Sequence, residues 1–187
     1  MRLSILSLFL LVSCFSHGQY KDWHENHKLS WNDFKSHKLL SSKESSEYIV
    51  KAQIFTSFIT SITIEDNLLS VEVLNRMFCK KSWVHPNGKS RIRLLHEQGH
   101  FDLREYYARL LRKAIGEYDF TLDSISQEFN TIIGDIEDGL DRHQQCYDDK
   151  TNYGSNVEMQ YVYTNKIDSL LKGTIEYRKL RVVNEIE

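Results

Sequence analysis

The sequence predicts an α+β fold, a small antiparallel sheet followed by about three helices. Three observations carry the prediction. Apolar residues alternate with polar ones from Val50 to Val73. A helical period then runs from Ser90 to Tyr118 without a proline. Two further apolar-periodic stretches follow, each opened by a capping sequence.

The chain opens on Met1-Arg2 and an apolar run, Leu3 to Phe15, and then Ser16-His17-Gly18. This is the pattern of a secretory signal over residues 1–18, cleaved before Gln19. The run is too short to span a bilayer as a helix. Leu11-Val12-Ser13-Cys14 also fits a lipobox, which gives an alternative: an envelope protein with a lipid anchor at Cys14. Both readings send the protein across the inner membrane, to the periplasm or the extracellular space. Residues 19–187 make one domain's length, with no transmembrane segment. The formal net charge of −2 becomes −3 when Arg2 leaves with the signal, and nothing in it favours nucleic acid or acidic lipid. Cleavage leaves Cys79 and Cys146. In an oxidising compartment the expectation is a disulfide between them, closing a long loop and contributing several kcal/mol.

From Gln19 to Lys43 the chain is polar with aromatic anchors at Trp23, Trp31 and Phe34, and a loop follows over Ser41 to Ser46. Val50, Ala52, Ile54, Phe58, Ile62 and Ile64 then share one strand face. Asp66-Asn67 supplies the turn into Leu69, Val71 and Val73, which alternate against Ser70 and Glu72. Such a pair has a free edge that can take an extended peptide as an added strand.

Asn87, Gly88 and Ser90 give a turn and an N-cap to the first long helix, on which Ile92, Leu95, Gly99, Leu103, Tyr106 and Leu110 recur at helical steps. Thr121 to Ser124 caps the second helix, expected to end near Tyr147, with Ile125, Phe129, Ile132, Ile133, Ile136 and Leu140 inward. Gly154-Ser155-Asn156 breaks the chain before the third, Val157 to Lys172, built on Tyr161, Ile167, Leu170 and Leu171.

The first long helix carries His96-Glu97-Gln98-Gly99-His100, an H-E-x-x-H sequence. Imidazoles four residues apart on a helix point the same way, roughly 6 Å apart, which suits two ligands of one tetrahedral zinc ion. Glu97 follows the first ligand and is placed to take a proton from a water that zinc acidifies. The chemistry implied is metal-assisted hydrolysis of a peptide or protein substrate, with His96 and His100 on Zn2+ and Glu97 as the base. The same five letters also occur on solvated helix faces, so context has to decide. Gly99 helps, because a mid-helix glycine costs about 1 kcal/mol against alanine and implies close packing over that turn.

Several short pieces then add up. Trp31-Asn32-Asp33-Phe34, Ser82-Trp83-Val84, Leu95 to Asp102 with Glu105 and Arg109, and Tyr147-Asp148 with Thr151 resemble a bacterial family of predicted secreted zinc-dependent proteases, described as a domain of unknown function. The resemblance spans nearly all of residues 19–187 and implies a zincin-like hydrolase of the cell envelope. Relatives tend to carry a histidine where this chain has Tyr153, at a position suited to a third ligand. Glu137, with Asp141 four residues on, offers another third ligand, and His143 and Asp148 are further candidates. The sequence does not choose among them. If the ligand is lost, the alternative is a non-catalytic binding or scaffold protein that keeps the helix. His24, His27, His37 and His85 read as surface residues, and Asp102, Glu105 and Arg109 as ion pairs on an exposed helix face.

Overall fold

The computed structural model describes residues 18–36 and 50–186. The signal sequence up to His17, Cys14 with it, His37 and the serine-rich loop at 41–46 lie outside the described residues.

The fold is α+β, as the sequence predicts. Its strands are β1 (Tyr20–Asp22), β2 (Ala52–Gln53), β3 (Thr56–Glu65), β4 (Leu68–Phe78), β5 (Trp83–Val84) and β6 (Arg181–Glu185); its helices are α1 (Arg91–Glu117), α2 (Ile125–Thr151) and α3 (Val157–Gly173). The central strand is β4. Antiparallel β3 flanks one side, and on the other β1 pairs with the Arg76–Phe78 end while β6 pairs with the Leu68–Glu72 end. The β3–β4 hairpin turns on Asp66 and Asn67, both at positive φ, a conformation that Asn and Asp tolerate in two-residue hairpins. Along β4 burial alternates with period two: Leu69, Val71, Val73, Asn75 and Met77 face inward.

The expected strand from Val50 to Ile64 is two strands. The chain leaves the main sheet before Thr56, and β2 pairs instead with β5 in a separate two-stranded ladder. Ser82 fixes the break: its hydroxyl accepts from Phe55 N–H at 2.9 Å and donates to Phe78 O at 3.0 Å. This offset carries residues 50–54 to the side of α1 that bears the histidines.

The sheet covers one side of α1, with Leu69, Val71 and Val73 packed on Ala108, Leu111 and Ile115. On another side Leu103 meets Leu140 and Tyr147 of α2 and Tyr163 and Ile167 of α3. With neighbours on both sides the middle of α1 is buried nearly all round, from His96 to Glu105. That corrects the exposed ion-pair face expected for Asp102, Glu105 and Arg109. Asp102 Oδ1 accepts from the Trp23 indole at 2.6 Å and from Gln98 at 2.8 Å, clamping the N-terminal segment behind α1. Glu105 lies between Arg109 at 3.2 Å and Arg112 at 2.9 Å, and Arg112 also donates to Val73 O. Spacing alone signals the pairing and says nothing of burial.

The expected disulfide is absent. Both cysteines are free: Cys79 is buried beside Leu29, Phe34, Met77 and Phe101, and Cys146 is exposed on α2. They belong to different surroundings, a core cluster at the sheet end and an outer helix face. Among the described residues no helix is long and apolar enough to cross a membrane.

Candidate metal centre

Helix α1 starts where expected, with the Ser90 hydroxyl accepting from Arg93 N–H at 3.3 Å. The H-E-x-x-H segment sits one to two turns in, against α2. Helix α2 continues one turn past Tyr147 to Thr151, closed by Asn152 in the left-handed region, and this extra turn brings Asp148 to the histidines. His96 Nε2 and His100 Nε2 are 3.2 Å apart, and Asp148 Oδ1 lies 3.0 Å from the first and 2.9 Å from the second. Among the described residues these three make the one group of His, Cys, Asp or Glu side chains placed to hold a metal ion.

The other third-ligand candidates go elsewhere. Glu137 pairs with Arg104 at 3.0 Å, and His143 stands 3.4 Å from the Tyr107 hydroxyl. Tyr153 lines the cleft beside the cluster. His24 and His27 are exposed and stacked on each other, and His85, half-buried, is bonded to Asn87.

Hydrogen-bond direction fixes which ring nitrogens carry protons. The Tyr147 hydroxyl donates to His96 O at 3.1 Å, so it accepts from the Gln160 amide nitrogen at 2.7 Å. The carbonyl end of Gln160 therefore faces His96 Nδ1, at 3.2 Å. Thr151 donates to Tyr147 O at 2.7 Å, so toward His96 Nδ1, at 3.3 Å, it accepts. Both partners of Nδ1 accept, so the proton of the neutral ring is there and Nε2 is bare. His100 Nδ1 donates in the same way to Gln144 Oε1 at 3.0 Å. Such outer partners orient ligand imidazoles.

Two bare nitrogens and a carboxylate oxygen thus converge with no donor among them. Electron pairs this close repel unless a cation sits between them. For a tetrahedral zinc ion with bonds of about 2.05 Å the ligand atoms stand about 3.3 Å apart. The observed 2.9–3.2 Å falls slightly short, so the donor set fits with an expansion of a few tenths of an ångström. A proton can do part of the same work. Burial alone would raise the Asp148 carboxyl, but hydrogen bonds from His100 and His96, made when a ring carries a proton on Nε2, outweigh it and hold the group well below the usual carboxylate range.

Tyr147 is the wedge that orients both rings. Its phenol stacks on His96 at 4.7 Å and meets His100 edge-on at 5.0 Å. Gly99 makes room for it, since a Cβ there would run into the Tyr147 hydroxyl. The close packing expected over Gly99 is this ring. Behind His96, Gly154 at φ +73° lies so near that a Cβ would come within 2.8 Å of His96 Cβ.

Glu97 is buried beside the cluster. Its Oε2 accepts from Ile54 N–H at 2.8 Å, a bond that the offset of β2 makes possible. Burial pushes its pKa up to about 7; the Asp148 charge adds to this, while His96 and the Ile54 N–H pull against it. The group can therefore exchange a proton near neutrality. The cluster opens on a cleft of about 460 Å³, walled by residues 50–54 and Trp83 on one side and by Arg93, Gln144 and Tyr153 on the other. This is within the size range of sites for small ligands and peptide segments.

Compared with known protein families, curated proteins and solved structures, the chain has no match.

Proposed function

We propose that the protein is a zinc-dependent hydrolase of the peptidase type. One observation carries the reading: three potential ligand atoms, His96 Nε2, His100 Nε2 and Asp148 Oδ1, converge within 3.2 Å at the floor of an open cleft beside a buried carboxylate. A purely structural site needs neither the cleft nor Glu97. His96, His100 and Asp148 would hold the ion, which when bound supplies a Lewis acid that acidifies water and polarises a carbonyl.

The chain's own residues do the rest. Glu97, anchored through one oxygen by Ile54, accepts a proton from the attacking water and returns it to the leaving amine, work suited to a carboxyl with a pKa near neutrality. Gln160, Thr151 and Gln144 keep the imidazole protons on Nδ1 and the Nε2 lone pairs inward. Tyr147, whose phenol burial holds well above its usual pKa, stays a neutral donor to the His96 carbonyl and locks the ring planes. Residues 50–54, with the short strand β2 among them, line the cleft and offer a place where a substrate main chain can lie. The signal pattern at residues 1–18 supports action outside the cytoplasm. The competing reading, a scaffold that has lost a ligand, drew on Tyr153, and Asp148 now supplies a third donor without it.

The test is to purify the protein without a polyhistidine tag, measure bound zinc, and compare wild type with Glu97→Gln on unfolded protein substrates. The proposal expects about one zinc per chain in both and a loss of at least 10²-fold in cleavage without the base. Stoichiometric zinc with no turnover would instead favour the scaffold.

A further inference from the structure

Of the buried and half-buried arginines among the described residues, Arg76, Arg104, Arg109 and Arg112 each meet a carboxylate: Asp22, Glu137, Glu105 and Glu105 again. Arg93 does not. Its Nη1 reaches Gly88 O at a long 3.3 Å, and its Nε, like that of Arg104, is buried without a hydrogen-bond partner, so that what sets Arg93 apart is the missing carboxylate. Yet this side chain lines the cleft. The two acids that share the cleft are committed to other partners, Glu97 to Ile54 and Asp148 to the histidines. A guanidinium with a dry, unpaired N–H is costly to keep, and its planar fork matches a carboxylate's two oxygens.

We infer that Arg93 is a carboxylate-recognition point of the cleft, so that the favoured ligand is a peptide bearing an acidic group a few residues from the metal centre. The inference rests on the hydrolase reading for what happens to that peptide, though not for its binding. Arg93 precedes His96 by three residues and His100 by seven, about 4.5 and 10 Å along the helix axis. Helix side chains lean toward the N-terminus, as the contact with Gly88 O reflects. A carboxylate on Arg93 therefore sits on the order of 10 Å from the donor cluster, about three residues of extended chain. The acid can be a Glu or Asp side chain or the peptide's own C-terminus.

The experiment separates these sources. Fluorophore-labelled octapeptides of Ala and Gln, with a single Glu walked along the sequence, are made as C-terminal amides; the Glu-free parent is made as amide and as free acid. Binding to the zinc-loaded full chain carrying Glu97→Gln, which blocks turnover, is followed by anisotropy. The inference expects about 10-fold or more tighter binding than the neutral amide, for one Glu register or for the free acid. Adding Arg93→Gln should erase that preference while zinc content and circular dichroism stay unchanged. Equal binding of every peptide, binding of none, or a preference that survives Arg93→Gln overturns it. If Arg93→Gln does not fold, the Glu walk on the Arg93-bearing protein decides alone. Wild-type cleavage without acidic preference sinks this inference and spares the hydrolase; acid-dependent binding without cleavage does the reverse.

Discussion

Replacing Gly99 by alanine tests the link between sequence and site directly. In an open helix the change would stabilise by up to about 1 kcal/mol. Here the new methyl meets the Tyr147 hydroxyl, and that ring cannot swing away: it is fully buried between His96, His100 and Tyr163. Overpacking of this kind costs about 1–3 kcal/mol. A displaced phenol also loses its bonds to His96 O and Gln160, each worth about 1 kcal/mol. The net effect is a loss of roughly 2–4 kcal/mol, or a fall in Tm on the order of 5–15 °C for a chain of this size. Thermal unfolding in the presence of chelator reads it. Zinc affinity should drop about 10-fold or more, because His96 turns with the ring. Gly134→Ala is the control: α2 has open space there, and its Tm should rise. If Gly99→Ala rises as well, the wedge account of Tyr147 is wrong.

Other outcomes follow from the same geometry. Glu105→Gln leaves Arg109 and Arg112 buried without a counter-charge and should cost about 3–5 kcal/mol in urea unfolding; under 1 kcal/mol would mean the network is not the staple described. Gln160→Met frees the His96 tautomer and should weaken zinc binding about 10- to 100-fold in chelator competition, with α3 still folded. Burial opposes ionisation of Asp33, but Lys21 at 2.9 Å and the Ser30 N–H hold its folded pKa below the unfolded value. A depressed carboxyl stabilises above the unfolded pKa and loses that contribution as pH falls through the folded one. Asp33→Asn should thus cost less than about 1 kcal/mol at pH 7, as the pair is partly exposed, and progressively less as pH falls through the folded pKa; a cost that does not change with pH would contradict this.

Much of the fold could be read from the chain because period-two and helical patterns are local. The alternation of Leu69, Val71 and Val73, the Asp66-Asn67 turn and the Ser90 cap all declare themselves within a few residues. Strands β1 and β6 do not. Tyr20–Asp22 is three residues long, and Arg181–Glu185 sets Val182 beside Val183, so both take their structure from pairing with β4. His96, Glu97 and His100 are found by motif, whereas choosing Asp148 from among the third-ligand candidates required knowing that α2 outruns Tyr147. A signal was present: Gln144, Asp148 and Thr151 stand at i, i+4 and i+7, a polar stripe that faces α1 through His100 and His96. Gln160 lies on another helix, 64 residues from His96, and no local pattern announces it.

The account turns on whether His96, His100 and Asp148 share a cation. Adding one equivalent of zinc to the metal-free protein and recording the zinc-edge X-ray absorption spectrum addresses that at the atoms concerned. The predicted spectrum has two imidazole nitrogens and light oxygen neighbours at about 2.0–2.2 Å in fourfold coordination, lost in His96→Ala and changed in Asp148→Ala. Zinc left hydrated in solution, or a sulfur shell near 2.3 Å from Cys79 or Cys146, would contradict it.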